Sequence, residues 1–140
     1  MTTSSLTLPA SKGMRIGLWL SQLLLALVYI PAGAMKLFAP VSVVAAQIPW
    51  AGDVTEPFLR LIGAVDLSAG LGILLPALTR IAPGLTVWAA RGSIALQICA
   101  MAFHAIRGEF AVLPMNFVII GLSLYVAWGR EKRAPIAARG

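Results

Sequence analysis

The sequence predicts an all-α integral membrane protein, a four-helix bundle with both termini on the cytoplasmic side. Three observations predict it. Of 140 residues, 59% are hydrophobic and 11% charged, against roughly half and a quarter in a soluble domain, and the mean hydropathy is +0.89. Four segments reach the about 20 mainly apolar residues that cross a ~30 Å hydrocarbon layer. Lys and Arg gather at the ends of those segments that share one side, as cytoplasmic loops do.

The same facts exclude other classes. So few charges cannot coat a water-soluble globule, and the length allows one domain. The net charge of +6 is not a nucleic-acid footprint, because the basic residues form no stripe interleaved with aromatics; no nucleic-acid partner is expected. Cys99 is the single cysteine, so no intrachain disulfide or CxxC redox pair exists. It is expected to be buried and inert.

In chain order, a Ser/Thr-rich leader over residues 1–14 is expected to be mobile. The membrane domain follows over 15–130, with spans near 16–38, 58–78, 82–104 and 112–128, and a basic tail over 131–140. Lys12 and Arg15 before an apolar run ending in Ala32-Gly33-Ala34 resemble a cleavable signal peptide. The run is too long for that, and three more spans follow. Arg80 lies between the second and third spans, and Arg130, Lys132, Arg133 and Arg139 follow the fourth. The outer loop 39–57 has Asp53 and Glu56 and no Lys or Arg. Its VSVVAAQIPW stretch suits either an interfacial helix or a lid over the bundle. Trp19, Trp50, Trp88 and Trp128 fall mostly at span ends, where indoles sit among headgroups.

Polar residues inside the spans are the candidate chemistry. Asp66 lies about 12 Å from the outer end of its span and Arg91 about 14 Å from the inner end of its own. A lone charge near the midplane costs at least about 2.5–3.5 kcal/mol, so a facing Asp66–Arg91 pair is expected, as a helix clamp or as a ligand or proton site. Gly63, Asp66 and Gly70 share one face at helical spacing, which turns Asp66 into the bundle. Gln22, Ala26, Tyr29, Gly33 and Lys36 recur at steps of four, three, four and three, a second interior stripe. Lys36 at its outer end either snorkels to headgroups or contacts an anion or carbonyl in a pocket. Pro31 is expected to loosen this helix and free a carbonyl. Gln97 shares a face with His104, the only histidine, and Asn116 follows Pro114 in a first helical turn. FHAIRGEFAVLPMN, residues 103–116, is then a short outer turn whose polar groups close the mouth of a cavity floored by Asp66 and Arg91. Arg107 and Glu109 within it are expected to be solvated.

At these residues the sequence resembles the DoxX-like family of small four-helix membrane proteins. The similarity runs from about Leu18 to Arg130 and is carried by YIPAGAMKLFAP, GAVDLSAGLGILLPALTR, FHAIRGEF and LPMNFVIIGLSLYVAWGR. Members often have Glu where this chain has Asp66. The resemblance implies a multi-pass protein of the bacterial cytoplasmic membrane. Relatives are linked to quinone-dependent sulfur oxidation, to methylamine utilisation, or to resistance against quinones and oxidants.

Three functions are open to such a chain. The favoured one is a quinone-associated redox subunit or quinone-binding protein, with Lys36 or His104 bonding a quinone carbonyl, Asp66 carrying a proton, and Tyr29, Arg91, Gln97 and Asn116 lining the ligand. Quinone is the one cofactor implied, and no metal is. One cysteine and one histidine supply neither iron–sulfur ligation nor a bis-His haem, so a redox partner protein or soluble donor must bring electrons. The second is a non-redox isomerase or hydratase for a small lipophilic substrate, using Asp66 or His104 as acid–base group and Lys36 or Arg91 for an oxyanion. The third is a non-catalytic assembly subunit, expected if the interior is tightly packed. The lipid bilayer is the expected environment, and homo-oligomers are left open.

Overall fold

Ser11 starts the first helix. Its side chain accepts the amide hydrogen of Met14 at 3.1 Å, satisfying a donor that the first turn leaves orphaned, and α1 runs over Lys12–Phe38. The computed structural model describes residues 9–140, so the first eight residues of the expected leader lie outside the described residues. Residues 12–14 of that leader are already helical. Pro31 sits inside α1 without ending it; it removes the amide that would bond the carbonyl of Leu27.

A short α2 (Val41–Gln47) and a 3₁₀ turn (Pro49–Gly52) follow. Val44, Ala51 and Leu59 are fully buried in one cluster with Met35 and Trp50 beside them, so of the two expectations for this stretch the lid holds. α3 (Glu56–Thr79) ends at Arg80 in left-handed backbone, φ 57°, and Ala82 is left-handed as well. That turn delays α4 to Leu85–Ile106, later than the expected start at residue 82. Gly108 at φ 75° turns the chain after α4, a conformation that costs glycine least. α5 (Leu113–Trp128) has Pro114 in its first turn and widens into a π turn over Gly129–Arg133.

Four helices are long and apolar enough to span a membrane, the last continuing to Arg133. In the square they form, α1 packs against α3, α3 against α4, α4 against α5, and α5 closes on α1. The outer surface is an apolar belt: Leu27 is 74% exposed and Ile106 87%, tolerable against lipid and not against water. Inside, Leu25, Tyr29, Ile73, Ala90, Ile119 and Val126 form the main core.

Both described chain ends lie at one end of the bundle, the basal end. Ala10, Leu18 and Ala134 pack together there, and the amide of Arg139 donates to the carbonyl of Arg80 at 3.0 Å. The basic tail therefore crosses the base of the bundle. α2, the 3₁₀ turns and the α4–α5 turn form the opposite, apical end.

Candidate functional site

The apical half of the bundle contains a cavity of about 280 Å³. Lys36, Trp50, Asp66, Gln97, His104 and Asn116 are, with Tyr29, the polar or amphipathic members of its wall, and Ile62, Leu96 and Phe103 supply apolar wall. Val28, Phe58 and Cys99 line it too, and all three are exposed on the bundle's flank. The cavity therefore opens sideways, toward where the lipid lies. Cys99 is at that opening, exposed, contrary to the expectation of a buried thiol. An apolar run in a membrane helix has a lipid face as well as a core face, and hydrophobicity does not tell them apart.

Asp66 does not face Arg91. Its Oδ2 accepts from the Lys36 ammonium at 2.5 Å, with both side chains largely buried, whereas Arg91 bonds Glu131 at 2.7 Å on the surface and stacks over Trp88. Side-chain direction explains the exchange. Cα–Cβ bonds tilt toward a helix's N-terminus; α1 begins at the base, so Lys36 leans into the bundle, and α3 begins at the apex, so Asp66 leans up to meet it. α4 begins at the base, and Arg91 leans away from Asp66. Arg91 is also next to Ala90 and two before Ser93, the buried positions, which turns it outward. Arg91 is thus no part of the cavity floor, and Lys36 pairs rather than snorkels.

The floor is a chain of hydrogen bonds instead. Asn116 Nδ2 donates to Gln97 Oε1 at 2.6 Å, and Gln97 Nε2 donates to the Tyr29 hydroxyl at 2.8 Å. Tyr29 then meets Ser93 at 2.6 Å, and Ser93 meets Ser123 at 2.8 Å. The chain ties α5, α4 and α1 together and satisfies each buried group, which otherwise costs about 1–3 kcal/mol apiece. Tyr29, Gln97 and Asn116 therefore combine a structural bond with a surface on the cavity.

The roof joins three segments. The Trp50 indole meets Phe103 edge-on at 5.5 Å and lies 5.8 Å from the Lys36 ammonium. Arg107 bonds Asp53 at 2.7 Å and also bonds Glu109, whose Oε2 lies 3.2 Å from His104 Nδ1. The Arg107 hydrogen bond, with His104 adding to it, holds the Glu109 carboxyl below the usual glutamate range. Arg107 and Glu109 are thus fastened to the lid and to His104, not simply solvated. Arg60 secures the lid's root: its Nη1 donates to the carbonyls of Lys36 at 2.8 Å and Ala39 at 2.6 Å, the orphaned acceptors at the end of α1.

Trp50, Phe103 and Arg60 were not legible as site residues. Trp50 reads as an interfacial anchor, and only its place after Ile48-Pro49 in an apolar loop hints at a lid. Arg60 carries a signal, an arginine four residues after Glu56 in a first helical turn. Among the described residues no group of three His, Cys, Asp or Glu side chains is arranged to hold a metal.

The family model described as the DoxX-like family matches residues 20–126. Among curated proteins and solved structures, none matches the chain.

Proposed function

The chain belongs to the DoxX-like family, a multi-pass protein of the bacterial cytoplasmic membrane, and from that premise we infer that it binds a quinone drawn sideways from the bilayer, as part of a redox system. The observation that carries this reading is the buried Lys36–Asp66 pair in the wall of a cavity that opens on the lipid-facing flank. A flat ring fits among Trp50, Phe58, Leu96 and Phe103, and an isoprenoid tail leaves past Val28, Phe58 or Cys99. The residues suit the two carbonyls of such a ring. Lys36 donates from one side, and His104, as the imidazolium whose Nδ1–H donates to Glu109, donates its Nε2–H to the other. A bound quinone would supply the hydrogen-accepting carbonyl oxygens. Asp66, the carboxylate beside the Lys36 ammonium, takes up and passes on a proton, and His104 with Glu109 leads toward apical water. Electrons come from a partner protein or soluble donor. The basal end, with Lys12, Arg15, Arg80, Arg130 and the tail, faces the cytoplasm by its charge.

A tightly packed interior would have favoured an assembly subunit, and the cavity supports a ligand instead. One geometric feature also suits a non-redox acid–base enzyme: Lys36 and Asp66 sit within hydrogen-bond reach of each other. That alternative requires turnover of a lipophilic enone with no electron donor present.

The test is titration of the protein in lipid nanodiscs with a short-chain quinone, read by tryptophan fluorescence. Saturable quenching is expected, most of it lost in Trp50→Phe, with affinity about tenfold or more weaker in His104→Ala, the worth of one hydrogen bond. Linear, unsaturable quenching that is the same in Trp50→Phe would mean that the quinone merely partitions into lipid, and the reading would fall.

A further inference from the structure

At the basal end, far from the cavity just described, Arg130 is only 6% exposed. Its Nε donates to Gln22 Oε1 at 2.8 Å and its Nη1 to the Ala134 carbonyl at 3.2 Å. Nη2 has no partner. Among the described residues no carboxylate pairs with it, because the nearest in sequence, Glu131, is turned outward to Arg91. A buried charge without a counter-ion is costly, and an unsatisfied guanidinium N–H inside a protein calls for an acceptor.

Arg130 lines a hollow of about 220 Å³, together with Arg15, Trp19, Ala134, Pro135 and Ile136, and borders a smaller one beside Pro83 and Thr86. Its guanidinium stacks on the Trp19 ring, 4.8 Å from the centroid, which fixes the plane of the fork. Gln22 fixes its rotation, being itself held by donation to the Ile73 carbonyl at 2.8 Å. Arg15, one helical turn before Trp19 on α1, brings a second positive charge to the same hollow. Two guanidiniums, one of them preset, around a space with no acidic side chain are a receptor for a tetrahedral oxyanion, since the guanidinium fork matches phosphate oxygens. Trp19 adds the depth, that of the headgroups.

We propose that the basal hollow between Arg15, Arg130 and Trp19, roofed by Pro135 and Ile136, binds a phosphate group. Two sources share this chemistry, the phosphodiester of an anionic lipid and free inorganic phosphate. Occupancy supplies the acceptor that Arg130 lacks and fastens the tail across the base of the bundle, so ligand binding and thermal stability rise together. The site is independent of the apical cavity and stands whether or not that cavity takes a quinone.

The test uses the full chain in phosphatidylcholine nanodiscs, with phosphatidylglycerol added to one set and inorganic phosphate to another, and follows the thermal midpoint by tryptophan fluorescence. Native mass spectrometry from detergent scores retained lipid. Retention of phosphatidylglycerol over phosphatidylcholine by about tenfold or more, the worth of one charge-assisted hydrogen bond, assigns the site to a headgroup. A raised midpoint with inorganic phosphate assigns it to the free anion. Arg15→Gln should abolish either effect, and since Arg15 is exposed this variant keeps the fold even if Arg130→Gln does not. Lys132→Gln with Arg133→Gln removes two exposed charges and should leave the effect intact. No preference for either phosphate source, or a preference that survives Arg15→Gln and disappears with Lys132→Gln and Arg133→Gln, overturns the proposal.

Discussion

Gly33→Val is expected to leave little or no folded bundle in mild detergent. A Cβ at Gly33 would lie 2.5 Å from the amide nitrogen of Leu67 and 2.9 Å from the carbonyl oxygen of Gly63. Both are helix backbone, which cannot rotate aside as a side chain does. Gly63 faces the same seam, where a Cβ would come within 2.7 Å of the Leu37 nitrogen. Glycines on both helices let α1 and α3 approach backbone to backbone, the way small residues drive association in lipid. Overpacking a core usually costs about 1–3 kcal/mol, and a clash with backbone belongs at or beyond the upper end. α1 would have to move away from α3, which separates Lys36 from Asp66 and pulls Arg60 off the end of α1. Gly70→Ala should be milder, because its two nearest neighbours are side-chain atoms, Ile30 Cγ1 at 2.7 Å and Tyr29 Cβ at 3.0 Å, and backbone comes no nearer than 3.2 Å. Gly92→Ala is the control: nothing lies within 4 Å, and alanine in place of glycine stabilises a helix by up to about 1 kcal/mol. Thermal midpoints in one detergent should fall in the order Gly92→Ala, wild type, Gly70→Ala, Gly33→Val. A Gly33→Val protein as stable as wild type would show that the α1–α3 seam is looser than described.

The seam also shows what the sequence can and cannot say. Along a single helix, periodicity is enough: Gln22, Ala26, Tyr29 and Gly33 were expected on the interior face of α1, and all are buried, as are Gly63, Asp66 and Gly70 on α3. Length and hydropathy likewise give the four spans to within a few residues. Between helices this legibility stops. Depth along the membrane suggested Asp66 and Arg91 as partners, but which charges meet depends on the direction each helix runs and on the tilt of its side chains. Those quantities belong to pairs of helices, and no one-dimensional pattern contains them. Arg130 illustrates the same limit. Its place after an apolar run marks a topological charge, yet the π turn over Gly129–Arg133 swings it under the bundle. The lid is undecided for a third reason: VSVVAAQIPW is apolar enough for either lipid or protein, and the residue that Trp50 meets over the cavity, Phe103, lies far along the chain.

Separating stability from ligand binding at the Lys36–Asp66 pair gives the second large effect. Asp66→Ala leaves the ammonium of Lys36 largely buried with no counter-charge, and breaking a buried pair in this way typically costs about 3–5 kcal/mol. Lys36→Met strands the carboxylate equally. The double variant Lys36→Met with Asp66→Leu removes both charges at similar volume, and replacing a buried pair by well-packed apolar groups is often neutral or stabilising. Each single variant is therefore expected to lower the thermal midpoint sharply and the double variant to recover most of it. The non-additivity would measure their coupling. Ligand binding should follow a different course. If Lys36 donates to a bound carbonyl and Asp66 relays a proton there, the recovered double variant stays deficient in saturable quinone quenching, because methionine and leucine supply neither the charge nor the proton relay. A double variant that is stable and binds quinone like wild type would reduce the pair to a clamp between α1 and α3. A helix clamp needs only that the two side chains suit each other, whereas a site needs what they offer a third group.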